Sequence, residues 1–230
     1  MKKLIKFARG IGILNFISTI IFNLKFFPLS IAIKLPVHVT RKVKYNLSTF
    51  RDSIIFDKES LYFGSLKIGF LDNQYTWDRP SFLKINGKLI IHGSGFHEIA
   101  SGITLEIGKD AIFEMGNNFS ASHNNRIRIL SFLKVGDDNM WSYDNVILDN
   151  DGHEIYNYNG EIENNNKGII FGNNVWLGCR NLVLKGASIP NTTIIAPGGV
   201  INKVYDKGNS IITSFGKTIK NDINWSRKLV

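Results

Sequence analysis

The chain is 230 residues long and 43% hydrophobic, enough for a sizeable core, which excludes a generally disordered chain. Lys and Arg outnumber Asp and Glu by 28 to 19, so the net charge is +9 and the partner sought is anionic: a phosphate, an anionic lipid or an acidic glycan. The single cysteine, Cys179, excludes an intrachain disulfide and fits a reducing cytoplasm.

Lys2, Lys3, Lys6 and Arg9 open the chain, ahead of an uncharged run from Gly10 to Leu24. The run is too short to span a bilayer comfortably, and Lys25 ends it. Ile13, Leu14, Ile17, Ile20, Ile21 and Leu24 recur at helical spacing. They predict a helix lying on a membrane surface or on the body of an oligomer. A cleaved signal peptide with Ser30-Ile31-Ala32 as its small-x-small site is the alternative, and the apolar stretch resuming at Phe26 and Phe27 speaks against it. Between Pro28 and Arg51, a second proline (Pro36) and the basic cluster Arg41, Lys42 and Lys44 predict an irregular lead-in. The expected division is a helical, basic lead-in over 1–60, a repeating β body over 61–212 and a cap of helical character over 213–230.

The β body rests on a period of six. Ile85 and Ile91 form one pair. Ile107, Phe113 and Phe119 form a second run, and Ile129, Val135, Trp141 and Ile147 a third. Phase shifts between the runs read as loops pushed out at corners, the largest over Glu154 to Lys167 with Asn164, Asn165 and Asn166. The last run, Phe171, Leu177, Val183, Ile189, Ile195 and Ile201, has no miss, and mostly small residues stand two before each rung. A step of six fits neither a 3.6-residue helix nor a hairpin sheet. It fits a coil of short strands meeting at tight corners, three hexapeptides to a turn, with each apolar side chain inside a triangular prism. Cys179 lies within a repeat and reads as a small buried filler rather than a nucleophile.

Three segments carry a resemblance. FGNNVWLGCRNLVLKGASIPNTTIIAPGGVINK, from Phe171 to Lys203, resembles the C-terminal coils of hexapeptide-repeat acetyltransferases. NVILDNDGHEI, from Asn145 to Ile155, is similar to the aspartate-x-aspartate-x-histidine segment of members that modify capsular, O-antigen and related surface sugars. SFGKTIK, from Ser214 to Lys220, is similar to the family's closing glycine-x-proline-alanine-lysine motif, with Phe215 and Gly216 in place of proline-alanine. The resemblance implies an all-β, left-handed parallel β-helix that moves an acetyl group from acetyl-CoA to a sugar hydroxyl. It implies a homotrimer with each site between two subunits, and a cytoplasmic enzyme. The N-terminal stripe is then expected to hold the trimer near the inner membrane leaflet, where lipid-linked glycans are made.

Acyl transfer to a hydroxyl needs a base and donors for the oxyanion. His153 is the candidate base, because an imidazole titrates near neutral pH and the resemblance places it in the family's catalytic position. Without that motif it reads as a surface-loop histidine. Asp149 or Asp151 could orient the imidazole or hold a sugar hydroxyl, or form a polar turn. Asn145 could bond substrate or cap a ladder. Trp176 matches the family tryptophan near thioester and acceptor, and reads equally as an aromatic at a subunit contact. For CoA, Lys203 matches a family lysine, Lys185 and Lys217 are nearby candidates, and Gly178, Ala196 and Gly198 could line the pantetheine arm because small residues allow close approach. No metal is expected. Three alternatives stay open: N-acetylation of an amino sugar, a non-catalytic β-helix scaffold, and a zinc hydratase using His92, His97 and His123. No nucleic-acid module is visible.

Overall fold

The computed structural model describes residues 11–46, 52–70, 78–214 and 216–228. The basic start (Lys2, Lys3, Lys6 and Arg9) and Phe215 lie outside the described residues.

Short parallel strands stack into three faces of a column. Among the described residues the first face has nine strands, the second seven and the third six. The chain visits the faces in turn, as in Trp176–Leu177, Leu182–Leu184 and Ser188–Ile189. Each strand therefore pairs with one a full circuit later. In the C-terminal coils the circuit is the expected 18 residues: Phe171 stands beside Ile189, Leu177 beside Ile195 and Val183 beside Ile201. All six side chains are buried. The inward row forms because successive side chains on a strand point to opposite faces, and only one side of each short strand meets the interior.

Upstream circuits are longer. Ala121 pairs with Trp141, 20 residues on, and Ile85 with Ile107, 22 on. Strands such as Thr104–Ile107 bury two side chains each, Leu105 and Ile107, and the corners absorb the added residues. The six-step reading therefore found buried residues but not always the register. Phe119 is buried, yet Ala121 is the residue level with Trp141. Phe119 leans edge-on against Trp141 at 5.0 Å and fills the volume that a small Ala121 leaves beside a large indole.

Corners between the first and second faces need a left-handed residue, and Asn124, Asp144, Arg180 and Gly198 supply it at φ of 59°, 58°, 59° and 74°. The next residues, Asn125, Asn145, Asn181 and Gly199, form an internal ladder. Each asparagine Oδ1 accepts the backbone N–H one coil on, at 3.0, 2.9 and 2.6 Å. Cys179 sits in this corner, half-buried, rather than inside a face, because the tight turn carries it off the strand.

Two expectations about the ends are corrected. The lead-in is not irregular: Val37–Val39, Val43–Tyr45 and Ile54–Phe56 form a first coil, paired in parallel with the next. Strands of three residues are too short to show a period. The C-terminal end is not helical. Thr218–Lys220 pairs antiparallel with Ser210–Ile212, and the chain then runs back along one edge of the column as a strap. Arg227 pins that strap, donating to Ser120 Oγ (2.6 Å), Asn118 O (2.7 Å) and Asn139 O (2.6 Å). These tertiary bonds override a weak local helical preference.

The predicted N-terminal helix forms as α1 (Ile13–Phe26), followed by the short α2 (Leu29–Ala32). Helix α1 covers the exposed edge of the first coil with polar side chains. Asn15 Oδ1 accepts from Arg41 N (2.8 Å). Thr19 Oγ1 accepts from Val39 N (3.0 Å) and donates to Val39 O (3.1 Å). Asn23 accepts from Val37 N (3.2 Å) and donates to Val37 O (2.6 Å). The fit is metric: four residues of helix rise about 6 Å and two residues of strand about 6.6 Å. Helix and edge strand therefore run antiparallel, side by side, and the strand's outer backbone groups are paired.

Candidate functional site

The strand Val146–Leu148 ends at the corner between second and third faces. Asp149 closes that corner. Its carboxylate accepts from the backbone N–H groups of Leu130 (2.8 Å), Ser131 (2.6 Å) and Phe132 (2.9 Å), and the residue is fully buried. The polar-turn reading of Asp149 thus describes its geometry. Asn145 likewise lies fully inside, its carboxamide bonded to Asn181 N and Ser142 O.

Residues 150–168 leave the column as an arm. Lys167 N donates to Asp149 O at 3.2 Å and pinches the base. Farther out, Tyr156 and Ile162 form an antiparallel bridge, and Gly160 N donates to Asn157 O. The loop expected over Glu154 to Lys167 is therefore a small hairpin. Asn164 braces it from within: its Oδ1 accepts from Ile155 N (2.6 Å), and its Nδ2 donates to His153 O and Asp151 Oδ2 (2.8 Å each). Asp151 also pairs with Lys185, which follows the strand Leu182–Leu184 one coil on. The Lys185 hydrogen bond first, then Asn164, hold the Asp151 carboxyl below the usual carboxylate range. The arm is thereby tied to the column beside His153, whose side chain is exposed. Asp151 reaches His153 through Asn164 and the backbone, not through the ring.

The other candidates lie elsewhere. Trp176 is on the outside of the first face, 36% exposed, with its indole N–H 3.4 Å from Ser142 Oγ. Trp225 of the strap lies against it at 5.9 Å and donates its own N–H to Asn174 O (2.7 Å). A full strand of the second face, Leu182–Leu184, separates Trp176 from Lys185 and the arm. One chain does not bring His153 and Trp176 to a common point. Gly178 is buried, and a Cβ there would meet Ile195 O at 2.7 Å, so its smallness serves coil stacking. Gly198 is exposed with open space around its missing Cβ, and Ala196 is half-buried nearby. Lys203 and Lys217 are exposed at the C-terminal end, with the Lys203 ammonium 5.3 Å from the Tyr205 ring.

The roomiest groove, 440 Å³, does not contain His153. Arg79, Phe82, Thr104, Asn124, Arg126 and Val146 line it on the second face. Val146 begins in this groove the strand that ends at the arm.

Among the described residues no three metal-ligating side chains converge. His97 is fully buried, with its ring nitrogens 2.9 Å from Gly116 O and 3.3 Å from Ser65 O. His92 pairs with Asp57 at 3.3 Å, and His123 stacks on Tyr143 at 5.0 Å.

Sequence reasoning missed Asn164 and Trp225. The asparagine run marked a polar loop, but only the folded arm shows which of its members reaches His153. Nothing local placed Trp225 on Trp176.

No protein-family model matches the chain, and no curated protein does. Among solved structures, the polySia-specific acetyltransferase NeuO matches over 81% of this chain and 88% of its own, at 20% identity with a TM-score of 0.55. The polysialic acid O-acetyltransferase OatWY matches over 84% and 92%, at 22% identity and a TM-score of 0.45. AntD, an N-acyltransferase from Bacillus cereus solved with dTDP and coenzyme A, matches over 80% of each chain, at 12% identity and a TM-score of 0.39. The NeuO match shows a shared fold, the hexapeptide-type parallel β-helix.

Proposed function

We propose that the chain is an acetyl-CoA-dependent O-acetyltransferase acting on a sugar hydroxyl of a surface polysaccharide or its lipid-linked precursor, with His153 as general base. The observation that carries the reading is the braced arm, which holds an exposed imidazole beside the column through Asn164, Asp151 and Lys185. NeuO, whose fold this chain shares, is a polySia-specific acetyltransferase, so a glycan acceptor fits.

Acetyl-CoA supplies an acyl group already activated as a thioester. His153 takes the proton of the acceptor hydroxyl as that oxygen is acylated, and returns it to the departing thiolate. Lys203 and Lys217 are the exposed cations for CoA phosphates, and Gly198 leaves room for an extended chain to pass. Lys185 fits this role less well, since Asp151 already engages it.

In this reading the working unit is a homotrimer. His153 of one copy meets Trp176 of the next, which answers their separation by a whole face within one chain. The arm's Ile155, Tyr156 and Ile162 are about half exposed, an apolar surface that a neighbouring copy would cover.

The test is thiol release from acetyl-CoA with paired hydroxyl and amine oligosaccharides. His153→Ala is expected to lose on the order of 10²- to 10⁴-fold in kcat while keeping its circular dichroism and trimer mass. A fully active variant would overturn the role of His153. A fully active monomer would overturn the shared site.

A further inference from the structure

The outer face of α1 is unpartnered and apolar. Ile13, Ile17, Ile21 and Leu24 follow one another on one side of the helix, continued by Leu29 and Ile33, and each is at least 46% exposed. At about 100° per residue, this side is opposite the one carrying Asn15, Thr19 and Asn23, which grip the edge strand. A strand's free hydrogen-bonding edge points along the column axis. The helix filling that edge therefore turns its apolar stripe outward from the column's end.

Charge is distributed with the same polarity. Residues 1–46 contain nine Lys and Arg and no Asp or Glu, so the entire +9 lies in this segment and the remaining residues balance at 19 to 19. Among the described residues, Lys34 and Arg41 are exposed at this end.

We propose that α1 is a membrane-docking surface, which seats the column end-on upon a bilayer with anionic headgroups. Apolar side chains flanked by cations match the boundary between acyl chains and phosphates. The same charge opposes a second copy of the chain, which would bring like charges together at this face. Lying flat is the geometry the length permits. Fourteen residues rise about 21 Å, against about 30 Å of hydrocarbon, and no described helix is long and apolar enough to cross a membrane. From Val43–Tyr45 to Val146–Leu148 there are four strand spacings, about 19 Å. With the helix thickness of about 10 Å, the arm stands about 30 Å above the lipid. On the acyl-transfer reading, which this consequence alone rests on, the acceptor is a glycan long enough to reach that height.

Flotation of the full chain with vesicles tests the proposal independently of any activity. The expected result is co-flotation with phosphatidylcholine mixed equally with phosphatidylglycerol, and weaker flotation with phosphatidylcholine alone. High salt should weaken binding without abolishing it, because the apolar contact is not screened. Ile17→Glu with Ile21→Glu should cut the vesicle-bound fraction about tenfold or more, with unchanged circular dichroism and mass. Lys34→Glu with Arg41→Glu, which touches no core residue, should erase the preference for the anionic lipid. Wild-type protein that stays unbound, or charge-reversed protein that keeps the preference, would overturn the proposal. So would a drop in oligomer mass in the Ile17 and Ile21 variant, which would assign the stripe to another copy.

Discussion

Asn164 shows how much a site can depend on a residue that never touches substrate. Its amide joins the backbone of His153 to the carboxylate of Asp151, which Lys185 anchors to the column. Asn164→Ala removes that brace and leaves the imidazole in place. The expected outcome is a fall in kcat of about tenfold with KM little changed, and partial rescue by Asn164→Gln. An unchanged kcat would show that the arm sets its own geometry. Buried histidines act differently. Burial first, then the charge of Lys67, lowers the pKa of His38 to about 4, and burial lowers that of His97. Between pH 6.5 and 4 the unfolded chain takes up protons that these folded rings refuse, so stability falls as pH falls through that window. His38 alone accounts for at most about 3 kcal/mol. Tm measured against pH should show a shallower acid limb in His38→Asn; an identical slope would sink the assignment.

At the scale of the element, the asparagine ladder separates a structural role from a catalytic one. Asn145→Ala leaves Asn181 N and Ser142 O without partners inside the corner. The expected loss is about 2–4 kcal/mol in denaturant unfolding, with the specific activity of the folded fraction retained. Loss of activity without loss of stability would restore Asn145 to the chemistry. The coils from Phe171 to Ile201 were legible because each face there is one short strand with one inward rung, so a six-residue step reaches the backbone register directly. Upstream the faces widen to two inward residues, and the same step lands on Phe119 instead of Ala121. The first coil was hidden because three-residue strands broken by Pro36 and a basic cluster carry no period. His153 stood out only through its aspartate-rich segment. The residues that hold it came into view only with the arm, because their bonds span 11 to 34 positions of sequence.

For the whole molecule the decisive places are the two ends. A column in which each coil touches only its neighbours has no internal reason to stop, and an open coil offers unpaired backbone to another chain. At the C-terminal end the Thr218–Lys220 strand closes the first face, and the strap carries Arg227 back to Asn118 and Asn139, coupling coils that otherwise do not meet. At the N-terminal end the closure is made by side chains. Thr19 and Asn23 supply four of the hydrogen bonds that a further strand would have made to Val37 and Val39. Thr19→Val with Asn23→Leu keeps nearly the same volume and withdraws all four. Each abandoned buried group costs about 1–3 kcal/mol, so the helix should detach or the coil should fray. The expected outcome is a Tm lowered by more than about 5 °C. Light scattering should show self-association that grows with concentration as free edges pair. Wild-type Tm and size in that variant would mean that the apolar packing of Phe22 and Phe26, both fully buried, closes the column unaided.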